Sequence, residues 1–80
     1  MPSKSVAVGS SVGLHARPAA IIAAAAEDLG SAVTINGVDS SSSLMLMTLG
    51  AKLGDTVEVA GDDQSAVDKI ASLVEQDLDA

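Results

Sequence analysis

The sequence predicts one α+β domain of two layers, residues 1–80, and three observations predict it. Apolar residues alternate in four short stretches, as strands require, and recur at helical spacing in three others. The order is strand, helix, strand, strand, helix, strand, helix, with no linker, repeat or composition break between them. At 80 residues, 48% of them hydrophobic and none aromatic, the chain can bury one modest core of Val, Ile, Leu, Met and Ala. Four strands need covering on at least one face, and three helices suffice for that.

Lys4-Ser5-Val6-Ala7-Val8 is the first strand, with Val6 and Val8 on one face. Gly9-Ser10-Ser11-Val12-Gly13 is a loop by its Gly and Ser content. A helix follows from Ala16 to Leu29 and stops at Gly30. Ile22, Ala26 and Leu29 form its inward stripe, with Ile21 and Ala25 beside it. The other side, Ala16, Ala20 and Ala24, is apolar but small where an ordinary surface helix is charged. That line fits a helix buried on two sides and, equally, a flat exposed patch that docks another protein.

Ala32-Val33-Thr34-Ile35 alternates as a strand, and Asn36-Gly37 is a strong hairpin signal because both positions of the tight turn need positive φ. Val38-Asp39-Ser40 returns as a brief strand. Ser41, Ser42 and Ser43 are all N-cap candidates for the short helix Leu44-Met45-Leu46-Met47-Thr48-Leu49, which Gly50 ends. Its apolar residues wrap all round, so some are exposed, and Met-rich surfaces suit adaptable docking. Gly54-Asp55 is a turn. Thr56-Val57-Glu58-Val59 alternates with the valines inward. Gly61-Asp62-Asp63 leads, with an aspartate as cap, into the clearest amphipathic helix. There Val67, Ile70, Ala71, Val74 and Leu78 lie opposite Asp68, Lys69, Glu75 and Asp79, a pattern for packing on a sheet.

Several chemistries are excluded. Without cysteine there is no disulfide framework, thiolate zinc site or thiol nucleophile. A net charge of -7 repels phosphate backbones, so nucleic acid is not an expected partner. The longest apolar run falls short of the ~20 residues a bilayer span needs. The N-terminus has no charged region followed by an apolar core, as a signal peptide would. The single histidine has no acid near it in sequence, which argues against a Ser-His-Asp hydrolase and against a metal site. The glycines form neither a P-loop nor a dinucleotide fingerprint.

What remains is Gly13-Leu14-His15-Ala16-Arg17-Pro18-Ala19, which holds the only histidine and the only arginine. Pro18 suits the first turn of a helix, so His15 and Arg17 sit at or just before a helix N-terminus. Free N–H groups and the positive end of the dipole favour anions there, phosphate above all. A neutral imidazole can attack a phosphoryl group and form a P–N bond, and Arg17 with the N–H groups can neutralise the charge that arrives. A surface histidine with no role is the competing reading of His15 alone.

The Gly13–Ala19 block resembles the active-site signature of the HPr family, the histidine-containing phosphocarriers of the phosphoenolpyruvate-dependent sugar phosphotransferase system. The stretch from Ser42 to Gly50 resembles that family's second signature, and the element order matches its fold. The resemblance implies an HPr-like βαββαβα open-faced sandwich: a four-stranded antiparallel sheet with three helices on one face. It implies that His15 accepts a phosphoryl group, through Nδ1, from phosphorylated Enzyme I and passes it to Enzyme IIA domains for sugar uptake. Ala16 and Arg17 would bind the phosphate through backbone N–H groups, with the Arg17 side chain as a charged contact. The family's docking surface joins the first two helices, which here implies Ala16, Ala20, Ala24, Leu44 and Met47. With it go the expectations of a cytoplasmic monomer that needs no cofactor or metal and enters no membrane. Such a chain is a phosphoryl carrier, not a stand-alone enzyme. An HPr-like regulatory module serving a paralogous phosphorelay or transcription factors would carry the same motif.

The chain departs from common members at several points. The stretch between the first helix and Gly50 is a few residues shorter, which places the shortening around Asn36-Gly37. Val12 stands where some members have a phosphate-holding serine. Ala24, Glu27 and Met45 occupy a neighbourhood often rich in lysine. Ser42 aligns with the serine that a regulatory kinase modifies in some members, although a helix cap explains a serine there equally well.

Overall fold

The computed structural model describes residues 2–10, 13–14 and 16–76. Val12, His15, Leu78 and Asp79, singled out by the sequence, lie outside the described residues. The elements are β1 (Ser3–Ala7), α1 (Ala16–Leu29), β2 (Val33–Ile35), β3 (Val38–Asp39), α2 (Ser43–Thr48), β4 (Thr56–Gly61) and α3 (Gln64–Glu75). They form one four-stranded sheet in the order β1-β4-β2-β3, every neighbouring pair antiparallel.

Strand alternation puts the core on one side of that sheet. Val6, Val33, Ile35, Val57 and Val59 face the helices and are buried, while Ser3, Ser5, Thr56 and Glu58 point the other way and are exposed. The helices complete one cluster: Ile22 and Ala26 from α1, Leu46 from α2, and Val67, Ile70 and Val74 from α3. With no aromatic ring to fill space, Ile22, Ile35, Leu46 and Ile70 are the largest fully buried side chains.

Local signals set the element ends. Asn36 and Gly37 both have positive φ, 51° and 84°, so the β2–β3 connection is a tight turn that a β-branched residue would resist. Asn36 also belongs to the sheet: its N–H donates to Glu58 O, and its Oδ1 accepts from Glu58 N–H, both at 2.8 Å. The amide oxygen thus stands in for the backbone carbonyl that the turn carries away. Ser42 is the N-cap of α2, its Oγ accepting from Met45 N–H, and Asp63 caps α3 by accepting from Ser65 N–H. Ser40 is buried and satisfied, its Oγ donating to Val33 O at 2.7 Å. Small shifts separate these elements from the sequence expectation. The first strand ends one residue earlier, at Ala7, because Val8 N–H turns to Asp55 O instead of a β4 partner. The fourth continues to Gly61, which pairs with Val33.

Candidate functional site

The histidine motif spans the junction between a loop and the start of α1. Leu14 is buried, and its N–H donates to Ala51 O at 3.0 Å. Ala16 is the first residue of α1 and is exposed, Arg17 is exposed beside it, and Pro18 is buried in the first turn. Proline loses nothing there, because first-turn N–H groups have no intrahelical acceptor. Those N–H groups, the dipole and Arg17 converge at one end of a fourteen-residue helix that carries no acid in its first turn. Arg17 makes no ion pair among the described residues. An anion arriving there meets a guanidinium that no carboxylate among the described residues has claimed.

Ala16, Ala20 and Ala24 are all exposed, so the small apolar line on α1 is an open surface and the helix is buried on one side. Pro18, Ala19, Ile22, Ala23 and Ala26 supply that buried side. Helix α2 packs against α1 and adds apolar surface of its own. Leu44 is 67% exposed and Met45 43%, whereas Met47 is half-buried against the core. Leu53, in the turn after α2, is 59% exposed. A leucine between Lys52 and Gly54 in a turn is the one sequence sign of this exposed apolar side chain.

A concavity lies elsewhere. A cavity of about 480 Å³ opens at the far end of α1, lined among others by Ala26, Glu27, Thr34, Asp39, Ser40 and Ser41. Both charged liners are acidic. The Ser41 O–H and N–H, donated to Asp39 Oδ1 at 2.7 and 2.9 Å, hold that carboxyl below its ordinary 3.8. No group of three or more metal-binding side chains occurs among the described residues, and no described helix is long and apolar enough to cross a membrane.

Comparison with known proteins agrees with the motif. Residues 2–76 match the family model described as the PTS HPr component phosphorylation site. The chain is similar to the phosphocarrier protein HPr of Streptomyces coelicolor, 38% identical over 87 aligned positions that cover 99% of this chain and 94% of that one. Among solved structures, it resembles HPr-C-His from Thermoanaerobacter tengcongensis at a TM-score of 0.84, with 26% identity over 94% of this chain and 92% of that one. It also resembles a phosphocarrier protein HPr from Bacillus anthracis at 0.83, with 25% identity over 91% of this chain and 95% of that one.

Proposed function

The chain belongs to the HPr family of phosphotransferase-system phosphocarriers, and from that premise we propose that His15 is its phosphoryl-accepting residue. The observation that carries the reading is the start of α1 one residue after His15, with Arg17 exposed and unpaired among the described residues in the first turn. A neutral imidazole nitrogen, Nδ1 in this family, attacks the phosphorus carried by phosphorylated Enzyme I. The new P–N bond forms as the bond to the donor breaks, and the donor leaves with that electron pair. Ala16 and Arg17 N–H groups and the Arg17 guanidinium offset the charge of the transferred group. Reversal of the same step delivers it to an Enzyme IIA domain. Positioning and charge do most of the work in phosphoryl transfer, so a domain of 80 residues can hold half a site and let each partner supply the rest.

Docking falls to the apolar surface next to that helix end: Ala16, Ala20 and Ala24 on α1, with Leu44 and Met47 on α2. Small side chains on one helix and large ones on the other let a partner's helix or loop approach closely. The carrier works in the cytoplasm as a monomer between Enzyme I and Enzyme IIA. Ser42, the N-cap of α2, is the serine best placed for regulatory phosphorylation, and a phosphate there would stand beside the docking surface.

Intact mass after incubation with phosphoenolpyruvate and a cognate Enzyme I tests the proposal. One added phosphoryl group, labile in acid and lost in His15→Ala, is the expected result. No addition, or addition that persists in His15→Ala, overturns it.

A further inference from the structure

One peptide unit ties the loop before the site to the turn after α2. The Ala51 carbonyl accepts from Leu14 N–H at 3.0 Å, and the N–H of that same peptide, on Lys52, donates to Asp55 Oδ2 at 2.9 Å. The Asp55 N–H returns to Lys52 O at 2.9 Å and closes the turn. Two more bonds of 2.9 Å fasten the turn to the chain after β1, Val8 N–H to Asp55 O and Gly54 N–H to Val8 O. Gly13 lies flush against this peptide at a φ of +77°. A methyl group at position 13 would overlap the Ala51 carbonyl oxygen and come within 2.9 Å of Lys52 Cα. Leu14, buried on the same contact, is the last residue before His15.

We infer that Asp55 is a positioning residue for His15. Its carboxylate fixes the plane of the 51–52 peptide. That peptide holds Leu14 through its carbonyl, and Leu14 fixes where the chain enters His15. A carboxylate bound to a peptide N–H also polarises the carbonyl at the other end of that unit, which strengthens the bond from Leu14. The inference rests on the phosphocarrier reading of His15, and in it Asp55 acts through the backbone. By charge alone an acid near a phosphate acceptor opposes the reaction, so a charge role and a positioning role make opposite predictions for a neutral isostere.

The experiment compares wild type with Asp55→Ala, Asp55→Asn and Gly13→Ala. The rate of phosphoryl uptake from phosphorylated Enzyme I is measured against Enzyme I concentration. The His15 imidazole is titrated by NMR, and folding is followed by circular dichroism. Asp55→Ala lowers the saturating rate by about three- to tenfold, the size of one net hydrogen bond read as a rate, and moves the His15 titration. The half-saturating Enzyme I concentration and the folded spectrum stay as in wild type. Asp55→Asn keeps the wild-type rate, because its amide oxygen accepts the same N–H. Gly13→Ala, by displacing the loop, falls at least as far as Asp55→Ala. Asp55→Ala at the wild-type rate overturns the inference. So does Asp55→Asn as slow as Asp55→Ala, or a defect confined to the half-saturating concentration. A wild-type chain that takes no phosphate overturns the phosphocarrier reading instead; the His15 titration, which needs no Enzyme I, then reports on the Asp55 link separately.

Discussion

The two ends of α1 divide shape from charge. Its C-terminal end borders the cavity of about 480 Å³, walled by Glu27 and Asp39. Its N-terminal end presents Ala16 and Arg17 to solvent. A fourteen-residue helix separates them by about 20 Å. An enzyme that works alone needs an enclosed site that excludes water. A carrier needs the open one, because its reacting group has to enter two different partners in turn. Two acids line the concave end and an arginine stands at the other, so on the proposed reading of His15 the hollow is not the reacting end.

The severest way to break this contrast is to remove the body that joins the two ends. Ile22 sits fully buried in the middle of α1, and Ile22→Ala is expected to cost ~2–5 kcal/mol in chemical denaturation, loosening both ends together. A smaller change separates them. Arg17→Ala is expected to slow phosphoryl uptake about 10- to 100-fold, the range of a lost charge-assisted hydrogen bond, with the unfolding midpoint unchanged. Glu27→Ala at the other end leaves the rate within about twofold, since its charge is too distant to act through screened solvent. Equal effects from the two substitutions would erase the distinction between the ends.

The mildest test reads the acidic end by itself. Ser41 lowers the Asp39 pKa, so ionised Asp39 favours the folded state. That contribution is present above the unfolded value of 3.8 and is lost as pH falls through the lower folded value. Wild type is therefore expected to lose stability in that acid range slightly more than Asp39→Asn does, in thermal melts taken across it. Phosphoryl uptake near neutral pH is the same in both.

Much of this was legible because local chemistry dictates it. The bounds of α1 at Ala16 and Leu29 follow from Pro18, the apolar stripe and Gly30. The Asn36-Gly37 turn follows from its φ requirement, and the α2 cap lies among three serines of which Ser42 is the one that bonds Met45 N–H. The alanine line on α1 was ambiguous for a physical reason: alanine suits both a tight interface and an open surface, and only the placement of α2 and α3 shows Ala16, Ala20 and Ala24 to be open. The links through Asp55 to Lys52 and through Asn36 to Glu58 left no pattern to read. Asp55 reaches back to a turn N–H and Asn36 reaches across to another strand, and neither makes the forward bond to a helix start that marks an N-cap such as Ser42. Met45 and Met47 look alike in sequence, yet a two-residue step round a short helix leaves one exposed and half-buries the other. The motif around His15 is the reverse case: its residue types point to a chemistry without reference to any fold, and that chemistry stands as the proposal above.

The strand order has a consequence for the protein's birth. Among the described residues β1 pairs only with β4, the last strand in chain order, and Leu14 leans on a carbonyl at position 51. A growing chain therefore presents its histidine and arginine early but without the neighbours that hold them. Contacts so distant in sequence form late, when loop closure over most of the chain has been achieved. Because α3 adds Val67, Ile70 and Val74 to the core over that sheet, closing β4 on β1 does not finish the fold, which also needs the chain through residue 75.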